Sequence, residues 1–316
     1  MFGSVLKKFP TLWDYYCHIE KRKQIKRINR MKKLSWDEKL VMVEKTYNER
    51  LGHPLDWNNL HTYTEKMQWA KMYDTDPKKT ILSDKYAVRE WVADKIGREH
   101  LIPLLGVWNT FDEIDFDSLP TQFVLKSNNG SGTNLIIKDK SKLNLRHVRR
   151  LVKDWIDTDF AYVNPFEFHY SSITPKIIAE KLIETNSGML SDYKFLCFDG
   201  IPKYVWIDVD RFSNHKRNVY DMNWNLQKWN QCTYGNTADE ILKPKNFEKM
   251  VDIAIKLSQG FSHVRVDLYN NNGIIYFGEM TFTNGSGFEK IVPIEADMML
   301  GDFWKIDMSK QDGYKI

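Results

Sequence analysis

The stretch that most constrains this fold runs from His263 to Gly287, where two runs of β-branched and aromatic residues flank a polar turn. Val264 to Asn270 and Ile274 to Phe282 have strand composition, and Asn271-Asn272-Gly273 between them supplies a glycine for the left-handed position of a three-residue loop. Such a loop fixes the register. Pairing Asn270 with Ile274 sets Asp267 opposite Phe277 and Arg265 opposite Glu279, so Asp267 and Glu279 become diagonal neighbours on one face, roughly 7–8 Å apart at their backbones. Two carboxylates can then converge on one ion. A hard Mg²⁺ suits them, because it takes carboxylate, phosphate and water oxygens, and Arg265 beside them could steady a transferring phosphoryl group or an acyl-phosphate. A loop of two or four residues would turn Glu279 to the other face, since side chains alternate along a strand. A surface hairpin with an Arg–Glu cross-strand pair has the same composition.

The rest of the chain can surround such a hairpin with a core. Its 316 residues are 42% hydrophobic, with 11 Trp, 15 Tyr and 17 Phe, enough for one large α/β domain or two lobes. A formal charge of +4 is too mild to indicate a nucleic-acid partner. The three cysteines, Cys17, Cys197 and Cys232, are odd in number and far apart, which argues against a disulfide framework or a zinc site and for a reducing compartment. No run approaches the eighteen apolar residues of a membrane span and no signal-peptide core opens the chain, so the cytoplasm is the expected location.

Residues 1–34 stand apart, with ten basic residues against Asp14 and Glu20 and a cluster of aromatics from Phe9 to Tyr16. Two readings stay open. The arm could contact the inner, anionic face of a membrane, where each nearby basic residue contributes about 1 kcal/mol. It could equally be a solvated basic helix packed on the domain through its aromatics.

From Ser35 to Asp74 the pattern is helical, and Thr62 to Glu65 forms a capping box. Ser83 to Val92 reads as a helix with Ser83 as N-cap and Gly97 as its stop. Leu101 to Trp108 and Gln122 to Lys126 read as buried strands. The small residues from Ser127 to Asn134 then lead into a further strand, Leu135 to Lys138. Such a loop lets backbone amides approach an anion while Lys126 places a charge on it, although an ordinary hairpin turn fits the same residues. A core-facing helix follows from about Leu145 to Ile156. The strand Lys176 to Ala179 ends in Glu180-Lys181. A strand ending in an acid can read an adenine edge, with the acid or a carbonyl accepting from the amino group and an amide donating to the ring; a surface Glu is the plainer alternative. Asp192 to Phe198 and Ile201 to Trp206 form a hairpin about Asp199-Gly200, with Asp192 and Lys194 on one face. Asn246 to Gly260 is the last clear helix.

The order of these features says more than any one of them. A strand Lys with a glycine loop, an acid-ended strand, and a late Arg-x-Asp followed by Glu-x-Thr is the order of the ATP-grasp enzymes. The stretch from Ser83 to about Gly301 resembles the TupA-like branch of that superfamily, found in bacterial capsule and cell-wall polysaccharide synthesis. The residues that carry the resemblance are Ser83 to Arg89, Phe123 to Lys126, Asp192 to Phe195, Arg265 to Tyr269 and Tyr276 to Phe282.

The resemblance implies an α+β, ATP-grasp fold in which two α+β lobes clasp a nucleotide. A helical N-terminal region with the basic arm would span 1–80, a part preceding the grasp 81–121, a lid subdomain with the glycine loop 122–190, and a C-terminal subdomain with the Mg²⁺ site 191–316. ATP and Mg²⁺ are the implied cofactors. Lys126 would contact the α/β-phosphates, and residues 128–133, Asn129, Gly130, Ser131 and Gly132 among them, would fold over the β/γ-phosphates. Glu180 with the backbone at Lys181 and Ile183 would hold adenine. Asp192 falls in the ribose position, Lys194 would face phosphate or substrate, Asp267 and Glu279 would bind Mg²⁺, and Arg265 would steady an acyl-phosphate. One departure stands out: most ATP-grasp enzymes have Asn two residues after the metal-binding Glu. This chain has Thr281 there, with Asn284 nearby, so either could complete the metal site.

The implied chemistry is carboxylate activation, in which phosphorylation by ATP gives an acyl-phosphate and an amine displaces the phosphate. Positioning and charge would carry it, without a nucleophilic Ser or Cys. The polysaccharide setting points to a uronic acid joined to an amino compound, as small molecules or polysaccharide precursors, with the N-terminal helices and Trp-rich surfaces binding the acceptor. The rival is a glycosyltransferase that holds a metal and a nucleotide sugar through Asp208-Val209-Asp210. A nucleotide-binding scaffold without turnover is a third reading.

Overall fold

In a computed structural model, the backbone is described for residues 10–185, 190–209, 216–231, 235–237 and 239–314, and the side chains within 19–311 of these. The helices are α1 (Pro10–Lys32), α2 (Trp36–Leu51), α3 (Tyr63–Tyr73), α4 (Pro77–Ser83), α5 (Val88–Ile96), α6 (Leu145–Ile156), α7 (Phe247–Ser258) and α8 (Ile294–Phe303). Both α2 and α3 begin with a complete capping box, Ser35 with Glu38 and Thr62 with Glu65, as serine or threonine three residues ahead of glutamate dictates. The expected start at Ser83 is corrected. Pro77 opens a separate short helix that ends at Ser83, and Asp84 instead turns the chain by accepting from the Tyr86 and Ala87 amides. Gly97 does end α5, with φ of 98°.

Strands β1 (Leu104–Trp108), β2 (Phe123–Ser127), β3 (Asn134–Ile137) and β4 (Ile177–Lys181) form an antiparallel sheet in the order β1-β4-β2-β3. Val148, Val152 and Trp155 of α6 pack on Phe123, Leu125, Ile177 and Ala179 of this sheet. Its edge strand β1 comes from the 81–121 segment, because a strand is assigned to a sheet by distant pairing and not by its place in the chain.

The second sheet contains β5 (Ser191–Phe198), β6 (Ile201–Val209), β7 (Lys216–Asp221), β9 (His263–Asn271) and β10 (Ile274–Thr281), in the order β10-β9-β5-β6-β7. The short β8 (Asn230–Gln231) and β11 (Ile291–Val292) pair beside it. Alternation along each strand divides this sheet between two cores. Phe195, Cys197, Val205, Val264 and Val266 pack against α5 and α7. Leu196, Phe198, Trp206 and Val219 pack against α2, α3 and α8. The second face matters for chemistry, because Asp192, Lys194, Asp208, Arg265 and Asp267 stand on it, beyond the end of the helical cover.

Helix α8 meets α3 closely. A Cβ on Gly301 would lie 1.9 Å from the His61 carbonyl oxygen. Helix propensity alone favours Gly301→Ala by about 1 kcal/mol. The backbone clash outweighs that gain, so the substitution is expected to destabilise the fold by about 1–3 kcal/mol, checked by urea unfolding.

Helix α1 docks on the body through its cations. Lys21 donates to the Asp154 carbonyl at 2.9 Å, Arg27 to the Val163 carbonyl at 2.6 Å, and Lys32 pairs with Asp159 at 2.6 Å. Ile28 and Met31 are its buried contacts, while the aromatics from Phe9 to Tyr16 lie outside the described side chains. Among the described residues no helix is long and apolar enough to cross a membrane.

Candidate nucleotide and metal site

The acid-bearing hairpin forms, with a different turn and a different register from those expected. The turn is two residues, Asn272 and Gly273, both left-handed with φ of 54° and 97°, so Ile274 faces Asn271. That change alone would turn Glu279 away from Asp267. A bulge at Gly278 reverses it: Phe277 pairs with Leu268, Gly278 is the extra residue, and Glu279 pairs with Asp267. The two acids are direct cross-strand neighbours instead of diagonal ones, and Thr281, instead of Glu279, stands opposite Arg265. Gly278 fits because a Cβ there would meet the Asp267 carbonyl at 3.0 Å and the Tyr269 ring at 3.3 Å.

A charged row crosses three strands on this face. Arg265 clamps Asp267 with Nε to Oδ1 and Nη2 to Oδ2, both at 2.7 Å. The same Nη2 reaches Glu279 Oε1 at 3.0 Å and Thr281 Oγ1 at 3.1 Å, and Nη1 donates to Asn284 Oδ1. Lys194 donates to Asp267 at 3.0 Å and also to Asp192. Burial opposes the charge of Arg265, but Asp267, Glu279 and Asp192 outweigh it and its pKa moves up. Burial likewise opposes the Lys194 charge, and Asp192 and Asp267 raise it.

Glu279 is the open member of this row. Its side chain is 37% exposed, and among the described residues nothing bonds its Oε2. Burial pushes its carboxyl up, but Lys85, Arg265, Lys194 and the Thr281 hydroxyl together hold it down at about 2. It is therefore an anion at neutral pH.

This donor set fits Mg²⁺ in a limited way. Among the described residues no three acids, histidines or cysteines gather as a metal nest. Both oxygens of Asp267 are engaged by cations, which leaves Glu279 as the freer ligand and most of the shell to phosphate and water, as Mg²⁺ commonly accepts. Thr281 Oγ1 sits 2.9 Å from Glu279 Oε1, whereas Asn284 spends its oxygen on Arg265 and buries an unpartnered Nδ2. A buried amide donor without a partner suits an anionic oxygen.

The glycine-loop side meets the bulge of the hairpin, next to this row, at a shared pocket. Lys85, Arg89, Lys126 and Glu180 line it together with Phe277 and Gly278 of the bulge. Lys126 pairs with Glu180 at 2.6 Å and Arg89 pairs with it at 3.1 Å. These side chains leave a volume of about 10 Å³, room for about one water. Glu180 is thus committed to two cations, and the Lys181 amide is bonded to the Pro103 carbonyl at 2.9 Å. Reading adenine with these groups requires both contacts to exchange. Ile183 follows β4, half-buried. Lys85 donates from Nζ to the Gly130 carbonyl and from its amide to Asn128 at 3.0 Å, and burial lowers its pKa against the pull of Glu279.

In the loop itself Asn129 is buried, Ser131 and Gly132 are exposed at the tip, and Gly130 is pressed to Phe160, whose ring a Cβ would approach to 2.5 Å. Lys85 and Arg89 had no role assigned from sequence. Their signal was present, since both lie in the Ser83 to Arg89 phrase, but their partners lie 45 and 91 residues away. Asp192 is tied to Lys194 instead of standing open to a ribose.

Asp208, the first acid of the Asp-x-Asp pair, is 1% exposed and held by Arg217 at 2.6 and 3.0 Å. Asp210 lies outside the described residues. An acid sealed this way is an ion-pair partner for Arg217 and not an accessible metal ligand. Cys197 is buried with its thiol pushed up to about 12 by burial, and so is no nucleophile.

Residues 65–305 match the family described as TupA-like ATPgrasp. No curated protein sequence matches the chain. Similar solved structures include D-alanine–D-alanine ligase from Bacillus anthracis complexed with ATP, at 15% identity over 74% of this chain and 66% of that one, with a TM-score of 0.42. They also include the ATP-grasp ligase PsnB with a phosphomimetic variant of its minimal precursor, Mg and ADP, at 11% identity over 74% and 62%, with a TM-score of 0.41. A third is N5-carboxyaminoimidazole synthase from Aspergillus clavatus, at 13% identity over 64% and 44%, with a TM-score of 0.35. This chain spans about two thirds or less of each of these three proteins. The family match covers well over half of the chain, which therefore belongs to the TupA-like ATP-grasp family.

Proposed function

We propose that this protein activates a carboxylate with ATP and passes the acyl group to an amine, releasing ADP and phosphate. The observation that carries this reading is the shared pocket, in which Lys85 and Lys126 of the glycine-loop side and Gly278 of the acid-bearing bulge line one space. Cations for a polyphosphate thus line a space beside the bulge that precedes Glu279, whose ionised carboxylate feels the Lys85 charge. Mg²⁺, when bound, neutralises phosphate charge during transfer. Glu279, assisted by Thr281 and then Asp267, would hold that ion. Lys126 and Lys85 would place the phosphates, and Asn129 to Gly132 would cover them. Arg265 and Lys194 would balance the charge of the transferring group, and Glu180 with the backbone at Lys181 and Ile183 would take the base. No step draws on Asp208 or Cys197.

The finer assignment is a uronic acid joined to an amino compound in surface polysaccharide synthesis, with the N-terminal helices on the acceptor side. Family membership supports this setting, and contact of the arm with an anionic membrane is compatible with it. Thermal unfolding tests the core of the reading: Mg²⁺-ATP at a hundredfold excess over its dissociation constant should stabilise the fold by about 2.7 kcal/mol. Lys126→Ala should lose that shift while remaining folded, because Arg89 still pairs Glu180. A shift with UDP-sugars and Mn²⁺ alone would overturn the reading in favour of glycosyl transfer.

A further inference from the structure

A second cleft, about 700 Å³ in volume, opens between the N-terminal helices and the body, within the size range of small-molecule sites. Arg27 and Arg30 of α1 and Lys45 and Arg50 of α2 line it, against Glu49 and Glu289. The sequence places them there by helical period. Val43, Tyr47 and Leu51 are the buried stripe of α2, so the neighbouring stripe of Met42, Lys45 and Glu49 faces the cleft edge. Arg27 and Arg30 are one turn apart on α1.

The balance of charge is cationic, with four basic side chains in the lining against two acids. Among the described residues nothing pairs with the side chains of Arg30 or Arg50, and both are exposed. The opposite wall includes Ser131, at the tip of the glycine loop, and Gly285, four residues after Thr281. The cleft therefore reaches the tip of the glycine loop at Ser131.

We infer that this cleft binds the substrate that meets ATP, and that this substrate carries an anionic handle, a phosphate ester or additional carboxylates, held by Arg30 and Arg50. The inference rests on the ligase reading for its reaction, but the charge of the handle follows from the cleft alone. Guanidinium groups match phosphate and carboxylate oxygens two at a time, and two arginines without partners among the described residues, in a concave wall, are suited to such a group.

Calorimetric titration with three probes separates the sources: glucuronic acid 1-phosphate, tri-galacturonic acid and plain glucuronic acid, each with the full chain at low salt. Binding of the phosphate ester at least tenfold tighter than glucuronic acid supports a phosphorylated substrate. The same preference for the trisaccharide supports a polycarboxylate. In either case Arg30→Gln with Arg50→Gln should weaken the preferred probe about a hundredfold, from about tenfold per charged hydrogen-bonding group. Mg²⁺-ATP affinity, lost with Lys126→Ala, should stay within twofold in the double variant. Equal affinity for all three probes, no binding of any, or binding indifferent to the double variant overturns the inference, whatever ATP does. Anion binding that follows the double variant, with no ATP binding to the wild type, upholds the cleft and overturns the ligase reading.

Discussion

Glu279→Gln is expected to abolish the Mg²⁺ enhancement of ATP binding while leaving metal-free ATP binding intact or stronger. Glu279 is the one acid of the charged row with an open oxygen and a partly exposed side chain, and it is ionised at neutral pH. Glutamine keeps its volume and can still accept from Arg265, so the hairpin should persist. The lost charge is what a hard cation needs, and a metal–carboxylate contact contributes several kcal/mol of charge stabilisation, so turnover with any accepted substrate should fall about a thousandfold. The neutral residue also removes one negative charge facing Lys85, Arg265 and Lys194, which favours the bare tetra-anion of ATP. Titration of ATP in Mg²⁺ and in EDTA separates the two effects. Equal enhancement in the variant and the wild type would remove Glu279 from the metal site.

Inserting one alanine between Gly278 and Glu279 should produce the same loss, with a stability cost added. Glu279 owes its face to the bulge, which offsets the parity of the two-residue turn. One more residue carries Glu279 into register with Val266, on the face packed against α7, and moves Met280 out of that core. A buried, unpaired carboxylate is costly, so the midpoint of unfolding should drop as well. Deleting Gly278 is the matched control. It removes the extra residue yet keeps Glu279 opposite Asp267, so Mg²⁺ enhancement should survive. If insertion and deletion behave alike, register is not what places the acid.

Much of this was legible in the chain, for local reasons. The capping box of α3, the Asp199-Gly200 turn and the 145–156 helix depend on residues a few positions apart, and they formed as expected. The shared face of Asp267 and Glu279 was also reached, though through a turn one residue too long and without the bulge. Each difference alone inverts the strand, and together they cancel. Gly278 between Phe277 and Glu279 did carry a signal, because a lone glycine inside a strand often marks a bulge. Ser83 misled because a serine suits an N-cap, and Pro77, a good first helical residue, had already started an earlier helix. Pairing across long separations was not legible. The membership of β1 in the four-stranded sheet, the Arg89–Glu180 pair and the cleft beneath α1 and α2 are set by tertiary contacts that no local pattern encodes.

The most direct test is a crystal structure with Mn²⁺ and a non-hydrolysable ATP analogue, the metal located by its anomalous scattering. The expected result is a metal bound to a Glu279 oxygen at about 2.0–2.2 Å, with analogue phosphates completing its shell and Lys126 moved from Glu180 onto them. A metal on Asp208, or an analogue lying away from the pocket shared by Lys85, Lys126 and Gly278, would contradict the site.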